Sequence, residues 1–354
     1  MRGLVLDDIR RISYLDDLAD PTIERASDAV VQVRRTGLCG SDLHPYEGRE
    51  AARLGVVAGH EAVGEVVAIG RDVGRFAIGD RVLVPFTTSC GSCHPCRSGL
   101  SARCVHGELF GYGAPGPDAA APLHGGQADL IRVPLADGTL VALPEAVDDA
   151  TGVLLTDNVP TGWAAATRAD VRPGRTLAVV GLGSVGLCSL LAARALGAAT
   201  IVAVDPVGSR RDTALLLGAD VVAHPDDAEA AVTEATEGIG TDAAIDATGA
   251  AAGQATAIAT LRVGGTCSII AVQTAERFAF SPVDAYDRNL TIRAGRAPVR
   301  SILDELVPQV VRGTFRVPTD TLLSHPAEPL ADGPEVYRRF AAREPGLVKA
   351  AFVP

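Results

Sequence analysis

A chain of 354 residues, 47% hydrophobic and 21% charged, is longer than one hydrophobic core usually organises and predicts two domains. A formal net charge of -11 argues against nucleic acid as a partner, since binding a phosphate backbone rests on clustered Lys and Arg, and leaves small molecules as the expected partners. No stretch approaches the length of a membrane span, and the charged residues Arg2, Asp7, Asp8 and Arg10 lead into no signal-like apolar run, so neither a membrane nor a secretory route is expected.

From Met1 to about Val147, short strands between Gly, Pro and Asp turns, such as Ala29–Arg34 and Arg81–Pro85, predict a mainly β lobe. Two segments in it, Gly37-Leu-Cys39-Gly-Ser41-Asp42-Leu-His44 and Gly59-His60-Glu61, each set a soft or imidazole ligand beside turn-forming Gly. Taken singly, each reads equally well as a packed or solvated residue. Of seven Cys, four lie within fifteen residues as C-x2-C-x2-C-x7-C: Cys90, Cys93, Cys96 and Cys104. That spacing lets one loop wrap four thiolates around a zinc ion, and a closed tetrathiolate site is structural. An iron-sulfur cluster lacks its usual Cys-Pro ending here, and two disulfides would not suit the reducing, cytoplasmic compartment expected of this composition. His94, inside the loop, reads as solvated. Phe110–Gly126, rich in Gly, Pro and Ala, predicts a long surface loop, either a tolerated insertion or a lid.

After Asp148, Ala-rich helical stretches alternate with apolar runs at Thr176–Val180, Thr200–Val204, Ala243–Ile245 and Thr266–Ile270, with Arg288–Arg293 as a further strand. The alternation predicts βαβ units and a parallel sheet. The first run leads into Gly181-Leu-Gly183-Ser184-Val185-Gly186 and then an apolar helix, the strand, turn and helix order of a dinucleotide fold. There Gly181 permits the tight turn, Gly183 lets the backbone approach a pyrophosphate, and Gly186 lets the helix pack on its strand. Asp205 ends the second run, 24 residues beyond Gly181, close to the offset at which an acidic side chain holds the ribose hydroxyls. A carboxylate there favours NAD over NADP, while Arg210 and Arg211 nearby pull the other way. Cys188, Cys267 and Trp163 read as core residues. Gly346–Val353 predicts a closing strand, so the cofactor domain is expected to be inserted into the first lobe.

In their order, the Cys39 and His60 segments, the four-cysteine loop and the Gly181 turn resemble the zinc-containing medium-chain alcohol dehydrogenases. The likeness spans essentially the whole chain and includes Gly79-Asp80-Arg81-Val82 and Leu261-Arg-Val-Gly-Gly-Thr266. The resemblance implies an α/β protein: a GroES-like, mainly β catalytic domain (1–157, with the structural-zinc loop), a doubly wound parallel-sheet Rossmann domain (158–296), and a return to the catalytic domain (297–354). It implies two zinc ions per chain, with Cys39, His60 and Asp157 holding the catalytic one and leaving its fourth position open. Asp157 reads alternatively as a helix-capping residue. Glu61 resembles the family's carboxylate that approaches the metal during ligand exchange, and Asp42 is a candidate acceptor for the second imidazole nitrogen of His60. The implied reaction is hydride transfer between an alcohol, or its aldehyde or ketone, and NAD(H). Ser41, a cofactor ribose hydroxyl and His44 would relay the proton, and Thr161 would stand beside the nicotinamide. Gly181, Gly183, Ser184, Val185, Gly186, Asp205 and Arg210 would bind the cofactor, and Lys349 would either approach the pyrophosphate or be a surface charge. A homo-oligomer is implied, a tetramer before a dimer. Two rivals stay open: a zinc-free, NADPH-dependent quinone or enoyl reductase, and a non-catalytic zinc- or nucleotide-binding protein on the same scaffold. The substrate itself is left open.

Overall fold

Strands form where β-branched and apolar residues run together. A computed structural model describes residues 1–112 and 122–354. Residues 113–121, the middle of the segment expected to be an insertion or a lid, lie outside the described residues. In chain order the strands are β1 (Gly3–Asp8), β2 (Arg11–Leu15), β3 (Ala29–Leu38), β4 (Val56–Val57), β5 (Ala62–Ile69), β6 (Arg81–Val84), β7 (Leu130–Val133) and β8 (Val141–Ala142), then β9 (Thr176–Val180), β10 (Thr200–Val204), β11 (Val221–Ala223), β12 (Thr241–Asp246), β13 (Leu261–Ile269) and β14 (Thr291–Ala294), and finally β15 (His325–Pro329) and β16 (Ala350–Val353). The chain divides into two compact units, Met1–Asp157 with Pro298–Pro354, and Asn158–Ala297.

In the first unit a seven-stranded sheet runs β15-β16-β3-β5-β6-β8, with β7 also on β3, and a smaller sheet runs β2-β1-β4. Alternation along β3 turns Ala29, Val31 and Val33 onto one face, where they meet Ala62 and Val66 of β5 and Val82 and Val84 of β6, as a period of two requires. Phe110 and Leu123 are buried in this same core. The two flanks of the expected surface loop are therefore anchored by large apolar side chains, which corrects that expectation for the residues described. β3 extends to Leu38, beyond the expected Arg34, and this extension matters most for the site. Ala62 pairs with Thr36 across β5–β3, and Ala350 pairs with Leu38 across β16–β3. Continuing those registers by one residue sets Glu61 beside Gly37 and Lys349 beside Cys39.

The second unit holds a six-stranded parallel sheet in the order β11-β10-β9-β12-β13-β14. The order reverses between β9 and β12, the switch point of a doubly wound sheet, outside whose carboxyl ends ligands bind. The central strands β9 and β10 are nearly continuous apolar runs because both faces are covered, and Ala178, Val180, Val202, Val204, Ala244 and Ile269 of the sheet pack with Val232 and Ile258 from helices. Cys188 and Cys267 are buried, as their apolar settings predict. β14 starts at Thr291 rather than Arg288 because a short helix, Pro282–Asp287, precedes it, with the Ser281 side chain accepting the Val283 N–H at 3.1 Å as N-cap. Among the described residues no helix is long and apolar enough to cross a membrane.

Candidate functional site

The end of β3, the start of β5 and the segment before the helix Asn158–Arg168 bring Cys39, His60, Glu61 and Asp157 together, with one donor atom of each within 4.8 Å of the others and all four buried. Cys39 Sγ lies 3.2 Å and His60 Nε2 3.7 Å from Asp157 Oδ2. Tetrahedral zinc with ligand bonds of about 2.0–2.3 Å would set such sulfur, nitrogen and oxygen donors about 3.3–3.6 Å apart, so the three fit one ion. The far side of the imidazole is fixed as well: His60 Nδ1 stands 2.9 Å from Asp42 Oδ1, while Asp42 Oδ2 accepts the Cys39 N–H at 2.8 Å. One carboxylate thus ties both segments and aims Nε2 at the other donors. Electrostatics agree with a cation site. Burial, then Asp157, pushes the Cys39 thiol up; against the opposing effect of burial, Asp42 and Asp157 hold His60 well above its ordinary 6.5. Both shifts favour the protonated forms, whose protons a dication would displace.

Ser41 places its hydroxyl 3.1 Å from His60 Nε2 and 3.2 Å from Cys39 Sγ, at the donor cluster itself. The Tyr112 hydroxyl donates to the Ser41 carbonyl at 2.7 Å, and the rings of Phe86 and Tyr112 flank the His60 imidazole at 6.3 and 6.2 Å. His44 is half-buried, and its Nδ1 is enclosed without a hydrogen-bond partner among the described residues. Burial, then Arg49, lowers its pKa from 6.5. Thr161 is buried in the helix Asn158–Arg168 of the second unit.

Lys349 is not the surface charge of one of its two readings: its ammonium donates to Glu61 Oε1 at 2.6 Å and Oε2 at 2.5 Å, both side chains having 0% exposure. Burial pushes the Glu61 carboxyl up to about 7, against the pull of Lys349. Lys349, for its part, is held above its usual range by Glu61 and then Cys39, although burial acts the other way. Sequence reasoning missed this pair, along with Tyr112, Phe86 and Gly37. For Lys349 a signal existed: it is the sole charge in the apolar run Leu347–Val353.

The four loop cysteines form a second cluster, their sulfurs within 4.8 Å of one another and none in a disulfide. Cys93 and Cys104 sulfurs are 3.8 Å apart, which matches the spacing of about 3.8 Å that four zinc–sulfur bonds of about 2.3 Å impose. Backbone N–H groups of Cys90, Cys93 and His106 donate to cysteine sulfurs at 3.2–3.4 Å, the environment thiolates require. Burial opposes ionisation of Cys90, but hydrogen bonds from Ser92 and Cys93 bring it down to about 6. His94 is exposed, as expected.

In the second unit Gly181 adopts φ +90°, a value that favours glycine. A Cβ at Gly186 would lie 1.7 Å from the Gly181 carbonyl oxygen, whereas one at Gly183 would meet nothing within 4 Å. Gly186 is therefore needed for packing inside the turn, while Gly183 faces open space at the N-terminus of the helix Ser184–Ala195, where a phosphate would lie. Asp205 is buried at the end of β10, its two oxygens accepting the N–H groups of Leu182 (2.7 Å) and Val207 (2.8 Å), with Arg210 at 3.8 Å. The carboxylate expected to meet a ribose thus also holds the Gly181 turn in place.

Residues 25–145 match the alcohol dehydrogenase GroES-like domain and residues 184–310 the zinc-binding dehydrogenase domain. The chain is 36% identical to zinc-type alcohol dehydrogenase B of Aspergillus flavus over 351 residues, 97% of this chain and 79% of the relative. Among solved structures, alcohol dehydrogenase TADH from Thermus sp. ATN1 superposes with a TM-score of 0.91 at 32% identity, covering 100% of this chain and 99% of that one. A zinc-binding dehydrogenase from Sinorhizobium meliloti 1021, bound to NADP, gives 0.84 at 25% identity, with 100% and 99% covered.

Proposed function

Since the chain belongs to the zinc-containing medium-chain alcohol dehydrogenases, we propose that it interconverts a primary or secondary alcohol and its aldehyde or ketone with NAD(H). The observation that carries this reading is the three-donor set Cys39, His60 and Asp157 with a serine hydroxyl at its edge. Three protein ligands suit a catalytic zinc, in contrast to the closed Cys90, Cys93, Cys96 and Cys104 set, which suits a structural one. We therefore assign two zinc ions per chain. Zinc at the first set would act as a Lewis acid that acidifies a substrate hydroxyl.

The chain's own groups then have separate tasks. Asp42 fixes the tautomer and direction of His60. Ser41 takes up the substrate proton, 3.1 Å from His60 Nε2, and Tyr112 steadies the backbone that carries it. His44, whose lowered pKa keeps it neutral near pH 7, receives the proton at an Nδ1 that has no other partner among the described residues; the family resemblance completes the relay with a cofactor ribose hydroxyl. Phe86 and Tyr112 limit water at the donors. In the second unit, Gly181 to Gly186 receive the pyrophosphate, and Thr161 is assigned to the nicotinamide by resemblance.

Asp205 supports NAD, because a buried carboxylate at the end of β10 repels a 2′-phosphate. Arg210, and the NADP found in the Sinorhizobium structure, support the opposite preference. Metal analysis together with initial rates on a panel of alcohols and carbonyls, run with each cofactor, tests the whole reading. About two zinc ions per chain and faster turnover with NAD are expected. A single zinc would refute the catalytic centre, and faster turnover with NADP would refute the Asp205 argument.

A further inference from the structure

Four protein donors, not three, converge at the end of β3, since Glu61 offers an oxygen within 4.8 Å of those of Cys39, His60 and Asp157. A zinc ion that took all four would be four-coordinate and closed, with no position for a substrate. Two features of the chain hold Glu61 apart. Lys349 engages both carboxylate oxygens, at 2.6 and 2.5 Å, in a pair with no exposed surface. Its backbone is itself anchored, the Ser324 hydroxyl donating to the Lys349 carbonyl at 3.0 Å and accepting its N–H at 3.2 Å. The second feature is an absence of bulk: a Cβ at Gly37 would lie 1.8 Å from Glu61 Oε2, so the carboxylate occupies the space that any other residue at 37 would fill. Gly37 is extended rather than left-handed, and space, not backbone freedom, is what its lack of a side chain provides.

Charge gives the same partition. The Cys39 thiolate and the Asp157 carboxylate balance a dication, and Lys349 balances Glu61. A Glu61 released from Lys349 would be a buried anion beside a metal ion, and ligating that ion would offset its charge. We propose that Lys349 and Gly37 form a parking site for the Glu61 carboxylate, which keeps the coordination position for substrate open. Lys349 is on this account a positioning residue, and the inference rests on the catalytic-zinc reading above.

Cobalt(II) in place of zinc, in the full-length chain, tests it through the visible spectrum rather than through turnover. Imidazole added to the wild-type protein should shift the cobalt bands by entering the open position. In Lys349→Met, and by an independent route in Gly37→Ala, Glu61 should take that position: imidazole affinity should fall at least about tenfold, and pyridine-2,6-dicarboxylate should strip the metal more slowly. The double variant Glu61→Gln/Lys349→Met removes both charges and should regain the wild-type imidazole response. Glu61→Gln alone should leave the resting cobalt spectrum unchanged. If Lys349→Met does not fold, Gly37→Ala and Glu61→Gln pose the same question. Wild-type imidazole affinity in folded Lys349→Met or Gly37→Ala, or a changed resting spectrum in Glu61→Gln, overturns the parking site while leaving the catalytic zinc intact. A wild-type chain that takes up only the loop cobalt and ignores imidazole overturns the zinc reading and this inference together.

Discussion

His44 ties a residue's surroundings to a rate. Burial, then Arg49, favours its neutral form and sets its pKa below 6.5. A relay acceptor must be neutral, so alcohol oxidation should rise with pH through an inflection below that value and level off near neutrality, where a solvated imidazole would still be titrating. His44→Gln should remove the inflection and lower kcat by about a hundredfold, the lower end of what general acid-base groups contribute. A pH profile of kcat measures both, and an unchanged profile removes His44 from the relay. At this scale the residues alone left Cys39 and His60 as packed or solvated side chains, and their grouping, like Asp42 as a candidate acceptor for His60, came from the ordered resemblance. Lys349 was not legible in the same way. A lone charge in an apolar run implies a buried partner, but that partner, Glu61, lies 288 residues away, and only the β16–β3–β5 registers bring the two together.

Elements were readable in proportion to how completely their environment constrains them. β9 and β10 coincide with the predicted runs because central parallel strands are buried on both faces and read as unbroken apolar stretches. β13 begins five residues before its apolar portion: Leu261–Gly265 contains two glycines and the exposed Val263, and Leu261 pairs with Thr241 of β12 before the register jumps to Thr266, an irregularity that no hydrophobic pattern announces. The Gly181 turn was fully legible, and its geometry makes a steric prediction. With 1.7 Å between a Cβ at residue 186 and the Gly181 carbonyl oxygen, Gly186→Ala must open the turn. NAD affinity by titration should weaken at least about tenfold with zinc content unchanged, and retained affinity would mean the pyrophosphate lies elsewhere. The four-cysteine loop makes a complementary prediction, since metal ligation stands in for a core that so short a segment cannot build. Cys96→Ser should lower the thermal midpoint and leave about one zinc per chain, the one held by Cys39, His60 and Asp157. Loss of both ions would mean that the two centres are not independent.

For the molecule as a whole, the sequence conveyed the two-unit plan and the insertion of one unit into the other, because the change of texture at Asp148 is a change of periodicity. Assembly was suggested only by resemblance. In the second unit the sheet ends at β14, whose outer edge has no partner strand among the described residues. A long unpaired edge is normally shielded by charge, bulges or a covering element. β14 is short and carries the exposed Arg293, yet large apolar side chains stand exposed beside it: Tyr286 is 82%, Val283 67% and Val263 63% exposed, and the Gly264 N–H donating to the Arg288 carbonyl at 2.8 Å ties Val263 to the end of the helix that carries the other two. Such a patch beside an open edge suits a second copy of the chain better than solvent, and pairing of two β14 edges would extend the sheet across a twofold axis. Light scattering at micromolar protein should then report at least a dimer, since one twofold interface joins two copies, and the tetramer that the resemblance implies needs a second interface. Tyr286→Asp with Val263→Asp should reduce the assembly by at least half while the far-ultraviolet dichroism and zinc content stay at wild-type values. A wild-type monomer, or an oligomer indifferent to both charges, would show that this edge is not where copies of the chain meet.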